Sequence, residues 1–494
     1  MKAIGCLVPE VCVNKRRTCL AVFVCVLILI ALGMTGCGGT VGIHSGGGGA
    51  INCGNCGSTG GGGTGTGSSG SAPVTLTLLD PPTCTSPRSN LTHLYLSISG
   101  VQLNPDANAT AASTGWVDAA TTLTSAPKQV DMFNLGTSLG NLLTSTTTQG
   151  TYGSLRLLLA PNTASITGNQ CGTAGAHCVL SGATTTPISV LTENTQGIVI
   201  NSGLIAGGTI TIASTGSNIN ILFDSCSSLI STSGGYRLLP NVVAWGGAVQ
   251  VYSITLVDAV SKVPLGSGDA IVALEQLNSG VDHIFGEATP DTNGVATIFG
   301  PVGTFDFVAT GTGTFGGAST MYSPLVLTGV VGSGGTVSAT MQLTPQGVAS
   351  PGIIQQSVDS NVPIDTRISV QQSATIGGVT TQPFTIPLMG GFAATLPTTT
   401  VVDSSCGTGA CEQGGVSVPA QPLYVQAFGT TFSDISTAPI GYTLFAEPFV
   451  FQGSAVKNCT TAAYGTSTDT LGGTISPLPG QTVTASTLTF AGCQ

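Results

Sequence analysis

Residues 94–103, LYLSISGVQL, alternate apolar and polar side chains along most of their length. Successive side chains of an extended strand point to opposite faces, so this pattern predicts a β-strand with one buried and one hydroxyl-rich face. The same alternation occurs in VTLTLL at 74–79 and in VQVYSITL at 249–256. Charged residues make up only 6% of the chain. Because Glu, Lys and Arg are strong helix formers, their scarcity favours strands, and the sequence predicts an all-β protein.

Alternation predicts strands in many other stretches of the chain, whereas one stretch is predicted to be a helix. A short helix is predicted around 139–143, and His93 begins a strand that is expected to lie at a sheet edge. Further strands are predicted at 130–135, 154–159, 197–200, 209–212, 218–224, 237–243, 270–274, 295–299, 303–309, 367–371, 384–388, 424–428, 442–446 and 483–490.

Residues 73–245 contain an ordered series of motifs. These are TLLDPP-x-C, HLYLSISGVQL, GWVDA, VDMFNL, GTYGSLRLLL, NINILFDSCSSLI and YRLLPNVVA. The series resembles the domain of unknown function 4382, which is common in bacterial lipoproteins. The resemblance implies an extracytoplasmic β-sandwich-like domain and brings no known activity. It also implies a disulfide between Cys84 and Cys226, which match positions where family members often carry Cys.

Residues 246–345 carry VPLGSGDAIVALE and then TPDTNGVATIFGPVGTFDFVATG. This order resembles the transthyretin-like, carboxypeptidase-regulatory type of sandwich, whose usual role is structural or adhesive. Residues 346–494 contain more alternating strands, and we assign them to no family. We therefore expect several β-sandwich domains in tandem, with boundaries at 73–245, 246–345 and 346–494.

The first 36 residues have the pattern of an export signal. Residues 1–17 end in Lys-Arg-Arg, 18–34 are an apolar run, and small residues precede Cys37. This arrangement resembles bacterial lipoprotein signals, so we expect a signal peptide at 1–36 and a membrane-anchoring lipid, of the palmitate type, on Cys37. An uncleaved transmembrane anchor and plain secretion are the alternatives, and all three place the rest of the chain outside the cytoplasm. Gly38, where an Asp would indicate inner-membrane retention, favours an outer-membrane address.

Residues 37–72 are Gly- and Ser-rich and are predicted to be a flexible tether. Ten Cys follow Cys37, and an even number behind an export signal predicts disulfides in an oxidising compartment. A metal or redox role for the C-x-x-C pair in the tether would need a helix or a second pair beside it. Besides the family-implied pair, the expected pairs are Cys53 with Cys56, Cys171 with Cys178, Cys406 with Cys411, and Cys459 with Cys493.

The net charge of the chain limits the kinds of partner that it is expected to bind. Without residues 1–36 the chain has seven basic and twenty acidic residues, a formal net charge of −13. Such a surface has no basic stripe, so binding to nucleic acid or to anionic lipid through charge is not expected.

The hypothesis that the chain is an enzyme rests on a single motif. Residues 136–140 fit the G-x-S-x-G pattern of serine hydrolases, with Ser138 as the nucleophile, but that pattern needs a βαβ context and a His base. The chain has four His (His44, His93, His177 and His283), and none is an evident base. We therefore treat the match as a chance one and expect no catalytic residues.

Other polar motifs favour structural roles. Residues 291–294 (DTNG) begin like a calcium loop but lack its later ligands, so a hairpin turn is expected there. Asp80, Asp131 and Asp224 are expected to cap turns rather than to bind a cation. The G-x-G-x-x-G match at 311–316 has no helix after it, so no nucleotide site is predicted. Trp116 and Trp245 are expected to be core anchors. No metal and no cofactor is predicted.

The resulting prediction is a non-catalytic lipoprotein of the cell envelope. Its β domains would serve structural, adhesive or ligand-binding roles. The alternative is an accessory carbohydrate- or polymer-binding protein of an extracytoplasmic processing system, and a hydrolase using Ser138 is disfavoured. The expected partners are the membrane, through the lipid on Cys37, and a glycan or protein ligand at the cell surface.

Overall fold

The computed structural model of the chain describes a large part of a compact unit that spans residues 66–494. Residues 1–69, which include the predicted signal peptide, Cys37 and most of the predicted tether, lie outside the described residues. The end of the predicted tether is corrected, because Ser71 and Ala72 begin a strand and Ala72 is buried. The described residues are 70–81, 91–135, 140–190, 197–232, 235–266, 268–278, 281–315, 318–347, 350–360, 364–376, 379–381, 383–388, 400–403, 413–420, 423–430, 441–450, 475–485 and 488–490.

Strands dominate this part of the chain, and the all-β prediction is confirmed. The described α-helices are single turns, α1 (Thr121–Ser125) and α2 (Ser225–Ser228), with 3₁₀ turns at Met132–Asn134, Gly172–Ala174 and Ser202–Leu204. No helix in the described ranges is long and apolar enough to cross a membrane.

The first group of strands builds two facing sheets. Sheet A has the order β15-β12-β1-β5, and sheet B has the order β10-β7-β2-β8-β9-β14-β13 with β3 and β4 also on β2. Strands β6 and β11 form a separate pair. The strands are β1 (Ser71–Leu79), β2 (His93–Asn104), β3 (Val117–Asp118), β4 (Lys128–Asp131), β5 (Gly140–Thr148), β6 (Gly150–Tyr152), β7 (Ser154–Leu159), β8 (Cys178–Ser181), β9 (Thr184–Val190), β10 (Ile198–Ile200), β11 (Ile210–Ile212), β12 (Ser217–Phe223), β13 (Leu229–Thr232), β14 (Gly235–Leu238) and β15 (Val242–Gly246).

The next strands build a second sandwich. Sheet C has the order β19-β16-β22, and sheet D has the order β18-β17-β20-β21-β30, where β30 is Tyr424–Ala427. Its strands are β16 (Val249–Asp258), β17 (Ala270–Asn278), β18 (Val281–Ala288), β19 (Val295–Pro301), β20 (Gly303–Phe315), β21 (Ala318–Gly332) and β22 (Thr336–Leu343), joined by β30 from later in the chain.

The remaining strands build two more sheets. Sheet E has the order β29-β23-β32 with β33 also on β23, and sheet F has the order β27-β24-β28 with β31 also on β24. Strands β25 and β26 form a small hairpin. The strands are β23 (Gly352–Ser360), β24 (Ile364–Gln372), β25 (Thr375–Ile376), β26 (Val379–Thr380), β27 (Phe384–Ile386), β28 (Thr400–Asp403), β29 (Gln413–Val418), β30 (Tyr424–Ala427), β31 (Thr443–Val450), β32 (Thr482–Thr484) and β33 (Leu488–Phe490).

One end of sheet A is buried on both faces, because neighbouring residues of its strands point into two different cores. Leu78 of β1 and Ile221 of β12 point into the first core, between sheets A and B. The neighbouring Leu79, Leu222 and Trp245 point into the second core, between sheets C and D. Successive side chains of a strand point to opposite faces, so consecutive apolar residues are expected where a strand is buried on both sides.

Sheet D repeats this arrangement. Phe307 and Leu327 lie in the second core, whereas Val308 and Val326, one position away, lie in a third core formed with the later strands. Strand β30 extends sheet D by pairing in parallel with β21, with Thr328 opposite Ala427. The predicted domain boundaries stay predictions, but residues from both sides of 345/346 share this sheet.

Four local predictions are corrected by the fold. The helix expected around 139–143 is wrong: residues 140–148 form β5, whose β-branched Thr run pairs antiparallel with β1. The strand starting at His93 is not at an edge, because β2 pairs with β3, β4, β7 and β8. Pro240 lies between β14 and β15, which belong to different sheets, so the predicted strand 237–243 is split. The predicted strand 130–135 ends at Asp131 and continues as a 3₁₀ turn.

Candidate binding groove

A groove opens where sheets C and D end on the same side of the second sandwich. In the described part of the chain, β22 ends sheet C and β30 ends sheet D. The groove between them encloses about 850 Å³. Its lining residues are Thr255, Ala259, Val260, Lys262, Leu327, Ser338, Ala339, Thr340, Gln342, Thr344, Gln426, Phe428, Gly429 and Thr430. Hydroxyl and amide side chains thus predominate over charged ones.

The polar wall follows from the alternation of β22. Met341 and Leu343 fill the second core, whereas Ser338 and Thr340 are exposed. Thr340 lies opposite Thr255 of β16 in the parallel register. The strand therefore presents a row of hydroxyl groups to the groove.

A loop after β16, residues 258–263, forms one end of the groove. It is held by Asp258, which is 1% exposed. Its Oδ1 accepts hydrogen bonds from the backbone N–H of Val260 (2.8 Å) and Ser261 (2.6 Å), and its Oδ2 accepts one from the Tyr322 hydroxyl (2.9 Å). Burial alone would raise the pKa of Asp258, but these hydrogen bonds favour the carboxylate and leave the pKa below its usual value. The loop is thus fixed by a buried, fully engaged carboxylate.

Lys262 in this loop has a left-handed backbone conformation, with φ +61°. Such a conformation costs a bulky residue on the order of 1 kcal/mol and persists only where surrounding contacts impose it. The Lys262 Nζ donates to the Ala259 carbonyl (2.6 Å) and to Gln342 Oε1 (2.5 Å). The ammonium therefore ties the loop to β22, while Val260 beside it is 61% exposed.

On the opposite wall, a tight turn presents Phe428. Its backbone N–H donates to the Thr328 carbonyl (2.8 Å), and the Thr430 N–H and Oγ1 both donate to the Ala427 carbonyl (3.1 and 2.7 Å). Gly429 has φ +78°, which a residue with a Cβ rarely adopts. These bonds fix the turn and leave the Phe428 side chain 40% exposed at the groove.

Gln426 lies between the apolar turn and the hydroxyl wall. It is 8% exposed, and its Nε2 donates to the Thr430 carbonyl (3.0 Å). Its Oε1, like the Thr344 Oγ1, makes no hydrogen bond to any residue that the structure describes. A buried carbonyl oxygen without a donor costs about 1–3 kcal/mol, so this position has unused capacity to accept a hydrogen bond.

The serine-hydrolase hypothesis required a His base, and His93 is one of the candidates that the structure describes. The Asp131 Oδ2 lies 2.6 Å from the His93 Nδ1 and also accepts from the Asn134 Nδ2 (2.6 Å). The imidazole stacks on Tyr95, with ring centroids 5.4 Å apart. Ser138 lies outside the described residues, so the hypothesis of a serine nucleophile stays untested.

His177 has a structural position. It is fully buried, and its Nδ1 accepts from the Ser97 N–H (3.2 Å), so its Nε2 donates to the Ala160 carbonyl (2.7 Å). Burial lowers the pKa of His177. A neutral ring in this tautomer holds the loop 160–177 against β2. His44 lies outside the described residues, as does the side chain of His283.

One predicted disulfide is present in the structure. Cys171 and Cys178 are joined, with their Cα atoms 5.7 Å apart. The other predicted pairs cannot be placed, because each includes residues outside the described part. These are Cys53, Cys56, Cys84, Cys406, Cys411, Cys459, Cys493 and the side chain of Cys226.

The aspartates expected to cap turns accept hydrogen bonds. The Asp80 Oδ1 accepts from the Ser225 N–H (2.9 Å) and Oγ (2.6 Å), and the Asp224 Oδ1 accepts from the Ser227 N–H (3.3 Å). The described residues contain no group of three or more His, Cys, Asp or Glu that could hold a metal ion.

Residues 291–294 form a turn with Gly294 at φ +77°, but the expected hairpin is wrong. The strands on either side, β18 and β19, belong to sheets D and C, so the turn carries the chain between sheets. The G-x-G-x-x-G match at 311–316 begins inside β20, which pairs with β21.

Trp245 is a core anchor, being 1% exposed. Trp116 is only partly buried, with the Arg156 guanidinium carbon 4.4 Å from the centroid of its ring.

Sequence reasoning missed the groove. The alternation in TVSATMQL at 336–343 could have revealed its hydroxyl row. Nothing local, however, indicates that residues 255–262, 338–344 and 426–430 meet.

Several solved structures show a slight likeness to this chain. One is the Bacillus anthracis TIE protein (9% identity, TM-score 0.15), where the match covers 84% of this chain and spans half of that one. Another is BcpA, the major pilin subunit of Bacillus cereus (10% identity, TM-score 0.16, covering 56% of this chain and 71% of that one). A third is a streptococcal ancillary pilin (12% identity, TM-score 0.16, covering 84% and 99%). At such scores these likenesses carry no argument.

No curated protein matches the sequence. One family model does, and it covers the first sandwich. Residues 71–240 match the domain of unknown function DUF4382, as the motif order at 73–245 led us to expect.

Proposed function

We propose that this chain is a non-catalytic, lipid-anchored protein of the cell envelope whose β-sandwiches form a fixed platform for binding or adhesion outside the cytoplasm. The observation that carries this proposal is that sheets A and D each bury side chains from both of their faces. Each of these sheets contributes side chains to two cores, so neighbouring sandwiches cannot separate without exposing apolar surface.

Such an arrangement suits display better than catalysis. Lids and hinges need segments with few buried contacts, whereas Leu222 and Trp245 bind the first sandwich to the second through a continuous core. The groove between β22 and β30 lies within the second sandwich and supports the ligand-binding form of this role.

Two features support a location outside the cytoplasm. Residues 1–36 resemble a lipoprotein signal, and the Cys171–Cys178 disulfide is typical of proteins that fold in an oxidising compartment. Lipid attachment at Cys37 and the outer-membrane address are part of the proposal.

The anchor can be tested by replacing Cys37. We expect wild-type protein to incorporate an alkyne-tagged fatty acid and to fractionate with membranes. Cys37→Ser should lose the label and leave the membrane fraction, while Cys171→Ser, a matched replacement away from the leader, should keep both properties. A wild-type protein that takes up no label, yet stays in membranes at the mass of the leader-bearing chain, would show that the leader is a transmembrane anchor.

A further inference from the structure

We propose that the groove between β22 and β30 binds a neutral saccharide chain, with Phe428 as the stacking ring and Gln426 as a hydrogen-bond acceptor. This rests on the proposed function, because it names the ligand class of a displayed binding surface.

The charge of the groove points to a neutral ligand. Its lining residues include one charged side chain, Lys262. Two hydrogen bonds within the protein, to Ala259 and Gln342, already engage that ammonium. An acidic ligand would therefore meet one cation with reduced capacity to donate, and a basic ligand would meet no carboxylate in the lining. Neither has a partner that would offset the loss of its hydration.

The distribution of polar and apolar groups matches a sugar ring. A pyranose has apolar C–H faces and a rim of hydroxyls that both donate and accept hydrogen bonds. Phe428 and Val260, 40% and 61% exposed, offer apolar surface, and Ser338 and Thr340 offer hydroxyls. An acyl chain in the same groove would leave those hydroxyls without partners, which costs free energy for each group buried.

Gln426 supplies a second, independent observation. Its side chain is more than nine-tenths buried and lines the groove, yet its Oε1 has no donor among the described residues. The Oγ1 of Thr344, which also lines the groove, likewise lacks a described partner. Both oxygens have almost no exposed surface, so a saccharide hydroxyl would reach the Gln426 oxygen once that side chain turns towards the groove. A carbonyl oxygen accepts and a hydroxyl both donates and accepts, so the two groups suit a ligand rich in hydroxyls.

A second groove in the molecule shows what these features add. It encloses about 730 Å³ beside sheet A and is also rich in hydroxyls, including Thr75, Thr209 and Thr211. Its lining contains no aromatic residue and no side chain with an unpartnered buried oxygen in the described part. It therefore serves as an internal comparison, and we expect no saccharide binding there.

The test is a titration of the full chain, solubilised in detergent, with defined probes. These are the neutral hexasaccharides of the cello, malto, laminari and xylo series, hexagalacturonate as an acidic counterpart, and an extended heptapeptide. We expect at least one neutral hexasaccharide to bind in isothermal titration calorimetry, with neither hexagalacturonate nor the peptide binding more tightly.

Two variants locate the site. Phe428→Ala should weaken that binding about tenfold through loss of stacking. Gln426→Met, similar in size but without the amide, should weaken it about fivefold. Leu478→Ala, at a side chain 63% exposed outside the groove, and Thr211→Val, in the second groove, should leave it unchanged. Because Phe428 is partly exposed, its variant should keep the wild-type melting temperature within about 2 °C.

Three results would overturn the inference: no neutral hexasaccharide binds, only hexagalacturonate or the peptide binds, or binding survives both variants at full strength. Each is separable from failure of the proposed function. Fatty-acid labelling and membrane fractionation of Cys37→Ser do not depend on the groove, so intact anchoring with no saccharide binding would refute the saccharide site alone.

Discussion

The two junctions between the three cores are built differently. At the first junction, where sheet A meets the second core, the apolar residues Leu79, Leu222, Val243 and Trp245 form the contact. The buried Asn220 beside them donates to the Gly247 carbonyl (2.9 Å), directly after β15 of the same sheet. At the second junction, where sheet D meets the third core, Val308 and Val326 are accompanied by buried polar groups.

Hydrogen bonds with defined partners cross the second junction. Glu275 is 1% exposed, and its Oε2 accepts from the backbone N–H of Thr385 (3.1 Å). The Thr310 Oγ1 donates to the Pro387 carbonyl (2.8 Å). Such bonds depend on direction and distance, whereas apolar burial does not. We infer that the first junction contributes mainly stability, and that the second also fixes how sheet F sits against sheet D.

The largest effect should come from removing the central side chain of the first junction. Trp245→Ala should cost about 3–5 kcal/mol of unfolding free energy because it leaves a cavity between two cores. Trp116→Ala is the matched control, since Trp116 is only partly buried, and it should cost clearly less. Urea denaturation followed by circular dichroism measures both, and equal losses would contradict the assigned role of this junction.

At the second junction, Glu275→Ala should cost about 1–3 kcal/mol because it leaves the Thr385 N–H without its carboxylate acceptor. Leu277→Ala, at an exposed position on the same strand, should change stability by less than about 0.5 kcal/mol. If the two variants proved equally stable, the hydrogen bonds across this junction would not be structural.

Gly286 tests how tightly the first junction is packed. A Cβ at this position would lie 3.0 Å from the Leu222 Cδ2 and 3.3 Å from the Ile298 Cγ2. Gly286→Ala should therefore be about 1–2 kcal/mol less stable than Gly246→Ala, whose Cβ would meet its nearest atom at 3.7 Å. A Gly286→Ala protein at least as stable as Gly246→Ala would show that the packing at the first junction accommodates an added Cβ without strain.

The smallest effect concerns pH. Asp306 lies opposite Glu275 in the register of β17 and β20, and burial raises its pKa despite a hydrogen bond from the Gly329 N–H (2.8 Å). A raised carboxyl pKa adds stability below the unfolded value, near 3.9, which is lost as the pH rises through the folded pKa. Asp306→Asn should therefore lose less stability than wild type between pH 4 and 7.

Asp258 should show the opposite sign, because its pKa is lowered. The stability it contributes is present above the unfolded pKa and is lost as the pH falls through the folded pKa. Asp258→Asn should therefore flatten the stability profile on the acid side. If Asp306→Asn and Asp258→Asn changed the dependence of stability on pH in the same direction, at least one of these two pKa assignments would be wrong.

Alternation along the chain sufficed to locate many strands, including β1, β2, β12 and β16, because over much of its length each buries every second side chain. It failed at 139–143, where the Leu spacing looks helical but pairing with β1 decides the conformation. The turn at 291–294 has the chemistry of a hairpin, yet its neighbours pair in different sheets. Local pattern constrains a segment's conformation, but not the partner it pairs with.

The candidate groove was beyond prediction for the same reason. Phe428 follows a predicted strand, 424–428, but that strand becomes part of the site only because it pairs with β21, about a hundred residues earlier. The unpartnered oxygen of Gln426 is likewise a property of the assembled fold. Neither feature can be recognised from the composition of the sequence or from the spacing of its residues.

The insertion of β30 beside β21 also determines when the protein can finish folding. A chain that crosses a membrane from its N-terminus exposes the edge of β21 well before β30 follows, and β23 waits longer still for β33. Pairings between distant segments fold slowly, and an open strand edge invites aggregation or proteolysis meanwhile. We therefore expect a chain exported in this way to depend on chaperones until nearly all of the described strands have emerged.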